Sequence, residues 1–257
     1  MSNTALITGA SSGIGAEFAR YHASKGGDVV LTARSADALQ ALAAELTAAH
    51  GIKAHVFAVD LGAAEGPAAL IKQITDAGIE IDILINNAGF GGQGRHIDRA
   101  LEDELGMIDL NTKALVALCH HFGGVMAKRG TGRILNVGST AGFMPGPLQA
   151  VYFATKAFVK SFSLALEHEL RKQGVTVTLL APGYVETAFA DRADLRGTDL
   201  AKGTKTPASV AKHGYDAMLR GDLLTVNEAG LGFAVNWIIP LAPRRLVMKI
   251  IERMQAK

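Results

Sequence analysis

Thr4-Ala-Leu-Ile-Thr-Gly-Ala-Ser-Ser-Gly-Ile-Gly15 (TALITGASSGIG) stands almost at the start of the 257-residue chain and sets its architecture. Residues 4–8 form a short apolar and β-branched run bounded by glycine, which reads as a buried strand. Glycines follow at positions 9, 13 and 15, and the residues after Gly13 take a helical period. A strand that turns through glycines into a helix leaves backbone N–H groups and the positive end of a helix dipole at the turn, where phosphate binds. The spacing Gly-x-x-x-Gly-x-Gly departs from the Gly-x-Gly-x-x-Gly of the common dinucleotide motif. Taken alone, the loop favours a phosphate site over the alternative of a glycine turn without a ligand.

The same alternation recurs along the chain. Strands are expected at residues 4–8, 28–33, 54–59, 81–86, 132–137, 175–180 and 223–226, and helices at 13–25, 36–50, 65–77, 98–128, 149–173 and 207–219. Near-continuous apolar strands separated by helices predict a parallel sheet covered on both faces. The expected fold class is α/β: a single doubly wound Rossmann-fold domain over residues 1–257, with a central seven-stranded parallel sheet. With 49% hydrophobic and 19% charged residues, disorder is excluded. A net charge of +2 shows no commitment to nucleic acid. The single Cys119 cannot form an internal disulfide and reads as core packing.

No leader peptide opens the sequence, so cytoplasmic residence is expected. The longest apolar run, 229–243, is interrupted by Asn236 and Pro240 and falls short of the ~20 residues a spanning helix needs. No membrane partner, nucleic-acid partner or metal site is expected.

In doubly wound sheets ligands sit beyond the carboxyl ends of the strands. After the second strand, where an acidic residue would accept a ribose 2′-hydroxyl, the chain has Ala33 and Arg34. A carboxylate there would repel a 2′-phosphate, whereas a guanidinium would bind it, so NADP(H) is expected ahead of NAD(H). Ser139 follows the fifth strand, in Gly138-Ser-Thr-Ala-Gly142, which is not the Gly-x-Ser-x-Gly elbow of an esterase. Tyr152 and Lys156 are one helical turn apart in the run AVYFATKAFV. With 4 tyrosines and 13 lysines, about 0.2 such pairs arise by chance, so the pair gains weight only from its company.

Thr8-Gly-Ala-Ser-Ser-Gly-Ile-Gly15, Asn86-Asn-Ala-Gly89, Ser139 and Tyr152-x-x-x-Lys156 occur together and in this order. The chain resembles the short-chain dehydrogenase/reductase family, in its branch of about 250 residues, with specific motifs over residues 4–190. The resemblance implies a catalytic set of Asn111, Ser139, Tyr152 and Lys156. It implies that Gly9, Ser11, Ser12, Gly13, Ile14 and Gly15 hold the cofactor's phosphates, with Arg34 beside them. Asp60 and Leu61 would flank adenine, and Asn87, Ala88 and Gly89 the ribose side. Tyr152, Lys156, Pro182, Gly183, Val185 and Thr187 would meet the nicotinamide half. A helix distortion at Asn111 would hold a relay water, although a helix N-cap at a break between two helices would equally suit that residue. Where the family often has Ser, the chain has Gly138, a change that reads as opening space.

The reaction implied is hydride transfer between nicotinamide and a carbonyl or alcohol carbon, with the Lys156 ammonium bringing the Tyr152 phenol towards its working range. The alternatives are a non-catalytic NADP-binding sensor or scaffold, and an epimerase or dehydratase on the same fold. Residues 90–94 and 143–148 and a lid over 184–206 should frame the substrate, with Phe90, Phe143, Met144, Leu148 and Phe189 suggesting a small or medium apolar occupant. In the helical extension over 229–257, apolar positions 246, 247, 250, 251 and 254 should pack on the domain or on a partner subunit, with attachment to a membrane surface as the less favoured alternative. The family resemblance implies a homodimer or homotetramer, and the missing C-terminal Asp-Gly-Gly speaks against a tetramer joined through the final strand.

Overall fold

A computed structural model describes residues 3–185 and 205–255. The strands are β1 (Thr4–Thr8), β2 (Asp28–Ala33), β3 (Ala54–Ala58), β4 (Ile83–Asn86), β5 (Gly132–Val137), β6 (Val175–Leu180) and β7 (Leu224–Thr225). They form one seven-stranded sheet in the order β3-β2-β1-β4-β5-β6-β7, and every pairing is parallel. Chain order reverses between β1 and β4, which opens a crevice at the carboxyl ends of those strands.

The helices are α1 (Gly13–Ala23), α2 (Ala36–His50), α3 (Gly66–Asp76), α4 (Leu101–Ile108), α5 (Leu115–Arg129), α6 (Ala150–Arg171), α7 (Pro207–Arg220), α8 (Ala229–Phe233) and α9 (Arg244–Gln255). Alternate strand residues point to opposite faces. Ile7, Leu31, Ile85 and Leu135 are buried with Phe18, Leu39 and Tyr215 of α1, α2 and α7. Leu6, Val30, Leu84 and Ile134 are buried with Leu70, Leu118 and Val159 of α3, α5 and α6. Both sheet faces are thus covered, as near-continuous apolar strands require.

Several ends follow local chemistry. The Ser35 hydroxyl accepts from Ala38 N at the start of α2, and Thr206 accepts from Ser209 N at the start of α7, with Pro207 in the first turn. Gly51 closes α2 at φ 68°, where other residues would be strained.

Three expectations are corrected. Strands expected at 54–59, 81–86 and 223–226 are shorter, because pairing ends at Ala58, begins at Ile83 and spans two residues in β7. The helix expected over 98–128 is instead a 3₁₀ turn at His96–Asp98, then α4, a π-helical segment at Asp109–Ala114, and α5. Asn111 therefore lies inside a π segment and not at a break with an N-cap. Among the described residues no helix is long and apolar enough to cross a membrane.

Candidate active site

A cavity of about 1040 Å³ opens at the switch point between β1 and β4. Gly9, Ser11, Ser12, Gly13 and Ile14 line one end. Gly9 has φ 66°, in the left-handed region that glycine enters without strain, and a side chain there would strike Ala88 and Asn87 at 2.9 Å. Ser12 starts α1 without a side-chain cap, so the first-turn N–H groups remain for an anion from the cavity. Gly15 is not part of the wall. A Cβ on it would lie 2.2 Å from Gly9 O, so it serves the close approach of helix and loop.

The loop is tied to β4 through Thr8, whose hydroxyl accepts from Asn87 N and Ala88 N at 2.9 Å each, while Asn87 Nδ2 donates to Thr8 O at 2.9 Å. Ala33, Arg34 and Ser35 line the cavity after β2, and Asp60 and Leu61 line it after β3. Asp60 Oδ1 is fixed by Gly62 N at 2.9 Å. Asn87, Ala88, Gly89, Pro182, Gly183 and Val185 complete this side. Thr187 and Phe189 lie outside the described residues, as does the lid expected at 184–206 except for its ends, where Val185 bridges Lys205.

Ser139, Tyr152 and Lys156 meet on the cavity wall. Ser139 leaves β5 in an extended conformation, and its hydroxyl accepts from Ala141 N at 3.1 Å and shares a hydrogen bond with the Tyr152 phenol. Lys156 Nζ lies 5.8 Å from the Tyr152 ring centre and donates to Val137 O at 2.9 Å, the bond that compensates its burial. Burial pushes the Tyr152 phenol up to about 12, the Ser139 hydrogen bond acting the other way, and lowers Lys156 to about 8. The phenol is thus raised by desolvation, where the sequence led to an expected lowering by the ammonium.

Asn111 stands behind the wall. Its Oδ1 accepts from Phe90 N at 3.0 Å, and its Nδ2 donates to Phe90 O at 2.9 Å and to Thr155 Oγ1 at 3.1 Å. Gly89 separates it from the lysine, since a Cβ there would sit 2.9 Å from Asn111 Oδ1 and 3.7 Å from Lys156 Nζ. Asn86 Nδ2 donates to Asn136 Oδ1, and Asn136 Nδ2 to Ser163 Oγ, each at 2.9 Å, so Asn86 braces the sheet below the site. Gly138 lines the cavity, and a Cβ on it would lie 2.8 Å from Leu179 Cδ1.

A family model described as short chain dehydrogenase matches residues 3–196. The chain belongs to the short-chain dehydrogenase family. Serine 3-dehydrogenase of Agrobacterium fabrum is 40% identical over 191 residues, 74% of each chain. A short-chain dehydrogenase from Sphingobium yanoikuyae, solved in complex with NADPH, superposes with a TM-score of 0.85 at 33% identity, covering 99% of this chain and 98% of its own. The bulky-bulky ketone specific alcohol dehydrogenase from Comamonas testosteroni does so with 0.79 at 28% identity, covering 99% and 97%.

In this short-chain dehydrogenase the far half of the cavity has walls the sequence did not reveal. Phe90 and Met144 line it as expected, but Phe143 and Leu148 do not, and the Phe143 ring instead carries Lys160 Nζ 4.0 Å from its centre. Phe153 is added, and the C-terminal segment supplies Ile239, Val247, Ile251 and Met254. The helical repeat from Leu246 signalled an apolar face without naming what it would cover.

Proposed function

We propose that this short-chain dehydrogenase is an NADP(H)-dependent oxidoreductase acting on the carbonyl or alcohol carbon of an uncharged, apolar substrate, with Tyr152 as general acid/base. The observation that carries the reading is the convergence of Ser139, Tyr152 and Lys156 on a cavity whose one end is the uncapped start of α1 and whose other end is apolar.

Bound in this cleft, the nicotinamide dinucleotide supplies or takes up the hydride. Arg34 is exposed at the cavity's edge, where its guanidinium would pair with a 2′-phosphate. The Sphingobium relative's complex with NADPH supports the same preference. The shared hydrogen bond supports a role for Ser139 in holding the substrate oxygen beside the phenol that gives or takes its proton. Asn111 positions the Phe90 backbone and Thr155, whose hydroxyl donates to Tyr152 O at 2.7 Å. The apolar far walls and the Comamonas relative's specificity for bulky ketones support a substrate with hydrocarbon flanks. The site follows the strand ends of one domain, with the segment at 184–206 as its proposed lid.

NADPH and NADH oxidation with a panel of aldehydes and ketones tests the reading. The expected result is turnover of apolar ketones with NADPH ahead of NADH. NADPH binding without net consumption would instead mark a sensor, and cofactor-dependent isomerisation without net consumption an epimerase. Arg34→Glu should raise the KM for NADPH by about tenfold or more while leaving that for NADH nearly unchanged. Equal efficiencies with the two cofactors in the unaltered enzyme would overturn the preference.

A further inference from the structure

The apolar positions of α9 divide between two surroundings. Val247, Ile251 and Met254 line the cavity. Gln255, at the helix end, is buried; its Oε1 accepts from Gln149 Nε2 at 2.7 Å and its carbonyl accepts from the Gln93 side-chain amide. These contacts fasten α9 over the substrate half of the cavity. Leu246, Lys249, Ile250 and Arg253 follow the i, i+3, i+4, i+7 spacing of one helix face, and all four are exposed. Upstream, α8 runs into a π-helical turn at Ala234–Ile238 and a 3₁₀ turn at Ile239–Leu241. Phe233, Trp237, Ile238 and Leu241 are exposed there, Trp237 by 67% and Leu241 by 86%. Six of the fourteen large apolar side chains exposed among the described residues thus fall within positions 233–250. So dense a group marks a surface that something else covers. The charges beside it are mostly of one sign: Arg244, Arg245, Lys249 and Arg253 are exposed against the single acid Glu252. A second copy of this face would set cation against cation, whereas anionic headgroups complement it. An exposed tryptophan among apolar side chains, with long cationic side chains beside it, suits the boundary between headgroups and acyl chains. Ile238 and Ile250 are both exposed and part of the cavity wall, so the mouth of the substrate half lies in this same surface.

We infer that residues 233–253 form a docking surface for an anionic lipid bilayer, which sets the mouth of the substrate cavity against the headgroup layer. The segment lies on the membrane and does not cross it, since no helix among the described residues is long and apolar enough to span. Docking is independent of the reductase reading. Its consequence, that an apolar ketone enters the cavity from the lipid, rests on that reading.

Trp237 is the only tryptophan of the chain and reports the contact directly. With vesicles of phosphatidylcholine and phosphatidylglycerol, the full-length enzyme should float with the lipid and the Trp237 emission should shift to the blue. Each surface cation contributes about fivefold, so binding to phosphatidylcholine alone should be about a hundredfold weaker. Soluble glycerol phosphate should leave the emission unchanged. Arg245→Glu combined with Lys249→Glu should weaken binding to the anionic vesicles about thirtyfold or more by the same factor, and Leu241→Asp should reduce both binding and blue shift. All three positions are exposed and outside the cavity wall, so turnover of a water-soluble ketone should persist in these variants. For octyl phenyl ketone carried in the anionic vesicles, the charge-reversed variant should show a raised KM. Equal binding to the two vesicle types, or none to either, would overturn the proposal, as would anionic-vesicle binding that survives charge reversal. Loss of self-association in Leu241→Asp without any vesicle binding would give the surface to a second copy and would also overturn it. Vesicle binding without turnover of any ketone keeps the docking surface and removes the reductase reading, whereas turnover without vesicle binding does the reverse.

Discussion

Tyr152 is a phenol held protonated by burial, beside a lysine that burial makes easier to deprotonate. In carbonyl reduction the phenol must carry a proton, and with its pKa at about 12 it does so throughout the neutral range. The Lys156 ammonium, at about 8, is the group that changes charge first as pH rises. Reduction should therefore be level below pH about 8 and fall above it as Lys156 loses its proton. Oxidation of the alcohol, which needs the phenolate, should climb with pH over the same range. A profile of kcat/KM in both directions checks this, and a reductive rate that rises above pH about 8 would contradict it. Tyr152→Phe removes the proposed proton donor but keeps the ring against Phe153, 6.1 Å between centres. Its kcat should drop by about 10²–10⁴ while fluorescence titration finds NADPH binding little altered. An unchanged kcat would end the role of Tyr152.

The elements around the site depend on a second buried titratable group, His22 near the end of α1. Its Nε2 lies 3.0 Å from Asn3 O and 3.1 Å from Asp28 O, both acceptors, so the proton is on Nε2. Nδ1 then accepts from the Tyr215 hydroxyl at 2.6 Å, which links α1, β2 and α7. Desolvation lowers the pKa of this neutral imidazole. The unfolded chain binds the proton more readily, so the stabilisation is present above the ordinary histidine value of about 6.5 and is lost as pH falls below it. The melting temperature should decline on acidification from pH about 7 to 5, and His22→Gln should flatten that decline. Tyr215→Phe leaves Nδ1 without its donor and should cost about 1–3 kcal/mol in urea denaturation. An acid limb as steep in His22→Gln as in the unaltered chain would assign it to other groups. None of this network was readable in sequence, where His22 is one polar residue in an amphipathic helix. Strands β1, β2, β5 and β6 and helix α2 were readable to the residue, because period and caps are local. A helix distortion at Asn111 was expected from the family resemblance alone, and it takes the form of the π segment at Asp109–Ala114, which the helical period does not mark. The glycine loop was legible from its place at a strand end, whereas Tyr152 and Lys156, on α6, gained their weight only from the family resemblance that joined them to Ser139. Gln149 and Gln255, 106 residues apart, meet only through the packing of α9.

Among the described residues two sets of exposed apolar side chains differ in the charges beside them. Around the C-terminal segment, Phe233, Trp237 and Leu241 are exposed near Arg244, Arg245 and Lys249. Across a twofold axis the same patch meets itself, so these cations would face cations, which disfavours self-association there. On the other area, α4 packs beside α6 and continues through the π segment into α5, and Leu101, Leu105, Val125 and Phe158 are exposed. Phe158 is stacked on Phe162, ring centres 5.8 Å apart, which holds it in place as a flat anchor. Exposed Glu102 and Asp103 of α4 and the Asp109–Lys113 ion pair of the π segment give these elements charges of both signs. The homodimer implied by the family resemblance is therefore proposed to form through α4, α5 and α6. Light scattering behind size exclusion should give about twice the 26.9 kDa chain mass. Phe158→Glu and Val125→Arg should each shift the protein towards a single chain, because a charge in the centre of an apolar contact has no partner. An assembly of unchanged mass in both variants would move the interface to another face.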